Sequence, residues 1–324
     1  MSEKFPQYLA LISSGKIDVR IKQAWAMAQN CLLCPRECKV DRTKGATGLC
    51  GAGDKLKAAR FVRHRGEEPA ISGSAGSGTI FLSHCSLRCR YCQNYQISFN
   101  GEGLNISIES LAQGMLDLQK AGVHNINWVT PSHYLPWLLE GLKLAAINGL
   151  NIPLVYNCGG YESTEALRLL DGIVDIYLPD AKYAEPKLAE RLSAAYNYPE
   201  INRLALAEMW RQVGSLKMDK DGLTYRGLIV RHLVIPGELQ NTFAVLDMLK
   251  NALGTDVTIS LMGQYFPTEK MKNTFYNRTL SAAEYQQATE YMFNLGFANG
   301  WVQEELGVEP EYQPNFRKNE EEMN

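Results

Sequence analysis

The sequence has no long apolar segment and no excess of charge of one sign. No window of about 18 uncharged apolar residues occurs, so a membrane-spanning helix is not expected. The N-terminus has no basic region followed by a continuous apolar run, which is the pattern of a secretory signal. With 33 basic and 35 acidic residues, the formal net charge is -2, and nucleic acid is not an expected partner. We therefore predict a cytoplasmic protein with no membrane partner.

Cysteines are few, but seven of the eight fall in two tight groups. In a reducing cytoplasm disulfides are rare, so such groups indicate metal binding. The first group, which we call the four-cysteine set, has the spacing C-x2-C-x3-C-x11-C and consists of Cys31, Cys34, Cys38 and Cys50. The second, the three-cysteine loop "LSHCSLRCRYCQNYQ" of residues 82–96, has the spacing C-x3-C-x2-C and contains Cys85, Cys89 and Cys92.

From residue 79 onward, short apolar runs alternate with longer amphipathic stretches, which is the rhythm of a repeated β/α unit with a parallel sheet. We predict an α/β fold, a partial (β/α)6 TIM-type barrel that follows an N-terminal cysteine-rich metal-binding segment. A doubly wound open sheet is the alternative. The six predicted strands cover residues 79–83, 126–130, 152–157, 174–178, 228–235 and 257–262.

The pattern also predicts how the chain is divided. Residues 1–78 form an N-terminal helix and the four-cysteine metal-binding segment, and the stretch 31–78 has so little periodicity that a metal rather than a core should order it. That segment ends in "SGSAGSG", residues 72–78, which we interpret as a flexible connector. Residues 79–305 form the barrel, and residues 306–324 form a mobile tail.

The three-cysteine loop follows the first predicted strand, and the carboxyl ends of parallel strands are where α/β folds place their chemistry. Three thiolates on a four-iron cluster leave one iron without a protein ligand, open to a substrate or cofactor. A zinc site completed by His84 is disfavoured, because neighbours on an extended strand point to opposite faces. Three packed, unligated cysteines are disfavoured because the flanking residues are polar. The spacing therefore predicts an open 4Fe-4S cluster.

The loop resembles the radical S-adenosylmethionine (SAM) superfamily, whose C-x3-C-x-aromatic-C signature is matched by Cys85, Cys89, Tyr91 and Cys92. Within that superfamily "CSLRCRYCQN" is similar to the branch that activates glycyl-radical enzymes, typified by pyruvate formate-lyase activating enzyme. Segments between residues 31 and 305, such as "VTPSHYLP", "YNCGGYE" and "DIYLPDAKY", are similar to its PflX-like subgroup. Pyruvate formate-lyase activating enzyme has no counterpart of the four-cysteine set.

The resemblance implies an oxidoreductase chemistry. The amine and carboxylate of SAM would chelate the open iron, and a donor such as flavodoxin or ferredoxin would supply an electron. Cleavage of SAM would then give methionine and a 5′-deoxyadenosyl radical, which abstracts a hydrogen atom. The substrate stays open: a glycyl residue of a partner enzyme, or another molecule.

The resemblance also implies which residues contact SAM or the cluster. Tyr91 would lie near the adenine, and Asn94 would hydrogen-bond a cluster sulfur or the loop backbone. The family's glycine-rich turn for the SAM amine is replaced here by "TPSH", so Thr130 or Ser132 would receive the amine. His133 in that turn is either an acid or base or, as is commoner for a lone loop histidine, structural.

Three further strand ends complete the predicted SAM site. Asn157 would bind the ribose or the carboxylate, and Gly159 would let the backbone approach the ligand. Asp180 and Lys182, two apart, would share one face near the methionine moiety. Arg231, on an otherwise apolar strand, would take the SAM carboxylate.

The four-cysteine set has a closed shell of ligands, so we expect a structural or electron-transferring site. Spacing alone leaves zinc and a second iron-sulfur cluster open. Two other hypotheses use the locally basic residues 55–65, whose simplest interpretation is a solvated face. One is a non-catalytic, metal-stabilised module that binds RNA or protein, and the other is a radical SAM enzyme that acts on RNA or on a small molecule.

Overall fold

The structure, a computed structural model, describes residues 6–303 and residue 316. The predicted mobile tail, residues 306–324, lies outside the described residues apart from residue 316. Ten strands of the described chain belong to one sheet. They are β1 Lys57–His64, β2 Ser77–Leu82, β3 Leu104–Asn105, β4 Ile126–Val129, β5 Leu154–Cys158, β6 Ile176–Pro179, β7 Lys217–Met218, β8 Thr224–Leu233, β9 Thr258–Met262 and β10 Gly300–Val302.

Helices connect most of these strands. The described α-helices are α1 Tyr8–Ser13, α2 Lys16–Gln29, α3 Pro69–Ser72, α4 Tyr95–Ser98, α5 Ile108–Lys120, α6 Leu135–Ile147, α7 Thr164–Leu169, α8 Pro186–Ser193, α9 Tyr198–Val213, α10 Leu239–Leu253 and α11 Ala282–Asn294. No helix of the described residues has both the length and the apolar character that crossing a bilayer requires.

The predicted α/β fold with a largely parallel sheet is confirmed. The six predicted strands are β2, β4, β5, β6, β8 and β9, and they lie side by side in chain order, each parallel to the next. A doubly wound sheet reverses its strand order at a switch point, and this sheet does not. The order is that of a partial barrel, extended by parallel β10 at one edge and antiparallel β1 at the other.

Local sequence explains where the helices begin and end. The Ser107 side chain accepts a hydrogen bond from the backbone N–H of Ser110 at 3.1 Å and so caps α5, as its position before an amphipathic run predicts. Ser163 caps α7 in the same way. After α5, Gly122 adopts a φ of 86°, a left-handed conformation that favours glycine. The outer face of the sheet then packs against these helices to form the main apolar core.

The connection between β1 and β2, residues 65–76, closes one end of the barrel. We call it the floor segment. Because β1 runs antiparallel to β2, this connection lies at the amino ends of the parallel strands, opposite the three-cysteine loop. The floor segment inserts Ile71, which is fully buried, among Val155, Ile176 and Ile229 on the inner face of the sheet. Asn125 holds it there, since its Nδ2 donates to the Ile71 carbonyl at 2.9 Å.

The structure therefore differs from the predicted division at residue 78. That boundary falls inside β2, and the predicted flexible connector is part of an ordered floor and strand. The N-terminal helices are also attached to the barrel: α2 packs on α6, where the rings of Trp25 and Trp137 lie 4.6 Å apart and Trp25 Nε1 donates to Glu140 at 2.7 Å. The antiparallel pairing of β1 with β2 that joins residues before 78 to the sheet leaves no local periodicity in the sequence.

Candidate active site

A cavity of about 520 Å³ lies at the carboxyl ends of the parallel strands. Every one of the six predicted strands contributes to its wall, directly or through the residue that follows it. The three-cysteine loop forms one side of the cavity. The inner end of the cavity is lined by His64, Gly66 and Glu67, at and just after the end of β1. A larger depression of about 720 Å³ lies outside the barrel between Phe61 and α5 and contains no cysteine. The cavity that contains the cysteines is therefore the one at the carboxyl ends of the strands, where the sequence predicts the site.

The backbone of the three-cysteine loop is turned sharply at two non-glycine residues. His84 and Arg88 have φ values of 72° and 59°, a left-handed conformation that costs on the order of 1–3 kcal/mol each. These turns let polar groups reach the sulfurs: the Leu87 N–H donates to Cys85 Sγ at 3.5 Å, and the Ser98 hydroxyl donates to Cys92 Sγ at 3.3 Å. Hydrogen bonds to sulfur are a feature of thiolate ligands.

Lys182 is the charged residue that acts on all three sulfurs of the loop. Burial raises the pKa of Cys85, Cys89 and Cys92, that of Cys89 to about 12, while the positive charge of Lys182 acts on all three thiols and lowers their pKa. Lys182 Nζ lies 2.5 Å from Asp180 Oδ2. Burial lowers the pKa of Lys182, but Asp180 and Cys89 outweigh burial and raise it well above its usual value. A permanent cation therefore faces the sulfurs.

The chemistry of these residues fits a 4Fe-4S cluster, because three thiols of one loop lie on the rim of the cavity. Each cysteine of a four-iron cluster binds a different iron, so its sulfurs surround a volume instead of meeting at a point. Three thiols on one rim of a polar cavity, beside a buried cation, meet that requirement.

The structure brings eight of the nine predicted SAM-contacting residues to the wall of this cavity. They are Tyr91, Asn94, Thr130, Asn157, Gly159, Asp180, Lys182 and Arg231. Ser132 does not line it: the chain turns into a 3-10 helix at Ser132–Tyr134, so the alternation of a strand no longer applies and this side chain is buried. Of the two candidates for the SAM amine, Thr130 lines the cavity and Ser132 does not.

Arg231 reaches the cavity but is already occupied. Its Nε donates to Glu68 Oε1 at 2.7 Å and its Nη2 donates to Glu68 Oε2 at 2.6 Å, while the same Nη2 also contacts Glu67. A guanidinium on an apolar strand must be neutralised when it is buried, and the floor segment supplies the two carboxylates. That Arg231 takes the SAM carboxylate stays a prediction; the partners that the structure gives this side chain are Glu67 and Glu68.

Glu67 also accepts hydrogen bonds from Asn127 Nδ2 at 2.8 Å and from Asn157 Nδ2 at 3.4 Å. The carboxylate thus ties the floor segment to the side chain of Asn157, a predicted SAM contact. Sequence reasoning missed Glu67 and Glu68. The signal available was Arg231 itself, because a cation inside an apolar strand requires an acidic partner elsewhere in the chain.

A third missed carboxyl group is Glu162, which is buried and does not line the cavity. The Tyr156 hydroxyl donates to Glu162 Oε2 at 3.0 Å, and burial raises the pKa of Glu162 to about 7. Its charge acts on Cys85 of the three-cysteine loop and on Cys34 of the four-cysteine set. One buried carboxyl group therefore influences a cysteine of each group.

His133 has a structural role. It is fully enclosed, its Nε2 lies 2.9 Å from the Ser83 carbonyl oxygen, and burial lowers its pKa to about 3. The neighbouring strand shows the expected alternation: Arg231 faces the cavity, whereas His232 faces the helices, with Nε2 3.0 Å from Thr242 Oγ1 of α10. Neither histidine lines the cavity.

The four-cysteine set lies outside the barrel, against the three-cysteine loop. All of its thiols are free, and Cys31, Cys34 and Cys50 are buried while Cys38 is half-buried. The Leu49 N–H donates to Cys38 Sγ at 3.4 Å. Gly48 permits this approach, because a Cβ there would lie 2.7 Å from that sulfur. The structure thus gathers the set but shows no metal geometry that separates zinc from iron-sulfur.

Comparison with known proteins is consistent with this site. The model of the Radical SAM superfamily matches residues 79–275, which is more than half of the chain. An uncharacterized protein of Methanocaldococcus jannaschii is 29% identical over 290 residues, covering 87% of this chain and 80% of that protein. Among solved structures, the FeFe-hydrogenase maturase HydG from Carboxydothermus hydrogenoformans is 16% identical, with a TM-score of 0.47 over 71% of this chain and 52% of that chain.

Two other solved structures are similar to the chain. Methylornithine synthase (PylB) is 13% identical with a TM-score of 0.42, covering 64% of this chain and 59% of its own. The radical SAM methyltransferase TsrM from Kitasatospora setae is 15% identical with a TM-score of 0.41, covering 56% of this chain and 34% of its own. The chain thus spans between about a third and three fifths of the solved proteins' lengths. On the family match over its barrel, the chain belongs to the radical SAM superfamily.

Proposed function

We propose that Cys85, Cys89 and Cys92 hold a 4Fe-4S cluster with one open iron, and that SAM and a substrate share the cavity beside it. When bound, the cluster and SAM supply a 5′-deoxyadenosyl radical by one-electron reductive cleavage. The observation that carries the proposal is that three thiols on one loop border a polar cavity at the carboxyl edge of a parallel barrel. The buried charge of Lys182 beside all three supports it.

The chain's own residues would orient the ligands. Asn157 and Asp180 project polar atoms into the cavity from neighbouring strands, where SAM has hydroxyl, amine and carboxylate groups to bind. Tyr91 is held in place because the Tyr183 hydroxyl donates to its hydroxyl at 2.8 Å, which supports a fixed wall near the adenine. Gly159 keeps the wall thin, since a Cβ there would lie 3.1 Å from Leu87.

We further propose that the hydrogen donor is a glycyl residue of a partner enzyme, as in the glycyl-radical-enzyme activating branch that the chain resembles. The support is the loop "CSLRCRYCQN". A flavodoxin or ferredoxin would deliver the electron in the cytoplasm. Arg90 and Lys270 are exposed beside the loop, and the Arg90 Nη2 donates to the Lys270 carbonyl at 3.1 Å. A basic rim of this kind suits an acidic protein donor.

RNA as the substrate has less support. The basic run on which that hypothesis rests is largely strand β1, and two of its cations are used within the chain. Lys57 donates to the Gly101 carbonyl, and Arg63 donates to the Ala121 carbonyl. Salt-dependent binding of a non-specific RNA would support the hypothesis that RNA is the substrate.

The test is anaerobic reconstitution with iron, sulfide and SAM, followed by quantification of 5′-deoxyadenosine in the presence of dithionite. We expect the wild-type protein to release 5′-deoxyadenosine and the Cys89→Ala variant to release none. Cys89→Ala should elute from a sizing column at the same volume as wild type. That control separates loss of the cluster ligand from loss of the fold. If wild-type protein that has taken up iron and sulfide forms no 5′-deoxyadenosine, the proposal is wrong.

A further inference from the structure

The two cysteine groups are joined by reciprocal arginine contacts. Arg36, between Cys34 and Cys38, donates through Nε to the Ser86 carbonyl at 2.9 Å and through Nη2 to the Leu87 carbonyl at 3.2 Å. In return, Arg88 of the three-cysteine loop donates through Nη1 to the Leu49 carbonyl at 2.9 Å, next to Cys50. Each group therefore braces the backbone of the other.

The two groups are also built alike. Among the described residues, five non-glycine residues have a positive φ, and four of them adjoin a cysteine: Glu37, Lys39, His84 and Arg88. In both groups a backbone N–H two residues after a cysteine is bonded to its sulfur, Arg36 to Cys34 and Leu87 to Cys85. The three-cysteine loop is a cluster loop by family, so the shared construction favours an iron-sulfur cluster at the four-cysteine set.

The four thiols form one group. Cys50 interacts electrostatically with Cys31 and Cys38, and Cys34 interacts with Cys50 and Cys31. Four thiolates can complete either a zinc site or an iron-sulfur cluster, but zinc has no redox chemistry, so only a cluster could pass an electron to the three-cysteine loop.

The position of the set suits electron delivery. The arginine contacts join the set to the three-cysteine loop, Glu162 acts electrostatically on a cysteine of each group, and Leu49 beside the set is 44% exposed. Four cysteine ligands leave no open iron, so such a cluster cannot take SAM but can exchange electrons. Electron transfer falls steeply with distance, which gives a centre between the surface and the cavity a kinetic advantage.

Building on the proposed function, we infer that the four-cysteine set holds a second iron-sulfur cluster through which electrons reach the cluster of the three-cysteine loop. A low-potential protein donor of the flavodoxin or ferredoxin class is oxidised by one electron. The second cluster is reduced by that electron and reoxidised as the first cluster is reduced. No atom or proton is transferred, and the donor is the only net reductant.

Metal content tests the site. We expect about eight irons and eight sulfides per reconstituted wild-type chain, and about four of each in a Cys31→Ser/Cys34→Ser variant and in Cys89→Ala. Cys158→Ala, a buried cysteine outside both groups, is the matched control and should keep the full iron content. If the double variant does not fold, Cys38→Ser, at the least buried ligand, replaces it. One zinc per chain that persists in Cys89→Ala would overturn the inference.

Reduction kinetics test the relay without relying on turnover. With reduced flavodoxin, the electron paramagnetic resonance signal of the three-cysteine cluster should develop on the order of tenfold more slowly in Cys31→Ser/Cys34→Ser than in wild type. With dithionite, a small reductant that reaches the cavity, the two proteins should reduce equally and form equal 5′-deoxyadenosine. Equal rates with flavodoxin would overturn the relay alone. Absence of 5′-deoxyadenosine from wild type with both reductants would instead contradict the proposed function.

Discussion

Arg231 stands on an apolar strand and shares its guanidinium between two carboxylates that lie 163 and 164 residues earlier in the chain. Burial raises the pKa of Glu68, but Arg231 outweighs burial and the pKa falls below its usual value. The two acids and one base leave an excess of negative charge at the depth of the cavity. A ligand group that reaches this depth is therefore better received as a donor or cation than as a carboxylate.

Removing Arg231 should be costly for this reason. We expect Arg231→Gln to lower the free energy of unfolding by roughly 3–5 kcal/mol, because it leaves two buried carboxylates unpaired. Anaerobic urea denaturation gives the value. The triple variant Glu67→Gln/Glu68→Gln/Arg231→Gln should recover most of the loss, since no charge is then buried. If Arg231 acted only on SAM, the single variant would keep wild-type stability and change SAM binding alone.

At the scale of single residues, the sequence permitted prediction of the three-cysteine loop but not of the side chains around it. That Cys85, Cys89 and Cys92 lie together at the cavity was predictable because they belong to one short loop after a strand. The partners of Arg231 were not, because a contact across more than 160 residues leaves no local pattern. Ser132 was a candidate through the family resemblance, which does not show that the chain turns into a 3-10 helix here and buries this side chain.

Among the elements, the parallel strands were the most predictable. Strands buried on both faces form continuous apolar runs, and the six runs correspond to six parallel strands. The floor segment was not predictable in the same way. Its short helix Pro69–Ser72 is four residues long, and what buries Ile71 is the antiparallel pairing of β1 with β2, a non-local contact.

The floor segment should contribute to stability out of proportion to its length. Ile71 is fully buried against three strands, so Ile71→Ala should lower the free energy of unfolding by roughly 2–5 kcal/mol. Ile147, which is 63% exposed on α6, provides the matched control, and Ile147→Ala should change stability by no more than about 0.5 kcal/mol. Equal effects in thermal or urea unfolding would show that the segment does not pack as a floor.

For the whole molecule, one buried acid links the N-terminal helices to the sheet. Asp175 accepts hydrogen bonds from the backbone N–H of Gln7 at 3.1 Å and of Leu154 at 2.9 Å. Burial raises its pKa to about 7, compared with about 3.9 in an unfolded chain. Between these two pH values the folded protein binds more protons than the unfolded chain, so its stability falls as pH rises.

Through Asp175, the free energy of unfolding should fall by about 1.4 kcal/mol per pH unit between about pH 4 and about pH 7. Below and above that range this group should cause no further change. Asp175→Asn keeps one acceptor and does not titrate, so the difference in stability between variant and wild type should change by a few kcal/mol from pH 5 to pH 8. The midpoints of anaerobic urea denaturation at those two pH values measure it. A constant difference would mean that Asp175 is ionised throughout.

The plugged floor also has a kinetic consequence. Among the described residues, the lower end of the barrel is filled by Ile71 and the Glu67, Glu68 and Arg231 cluster, so ligands use the mouth beside the three-cysteine loop. When a cavity has one entrance, the ligand that binds deeper must enter before the other ligand and leave after it. We expect SAM and substrate to bind in a compulsory sequence, and methionine and 5′-deoxyadenosine to inhibit by occupying the passage that the next SAM must use.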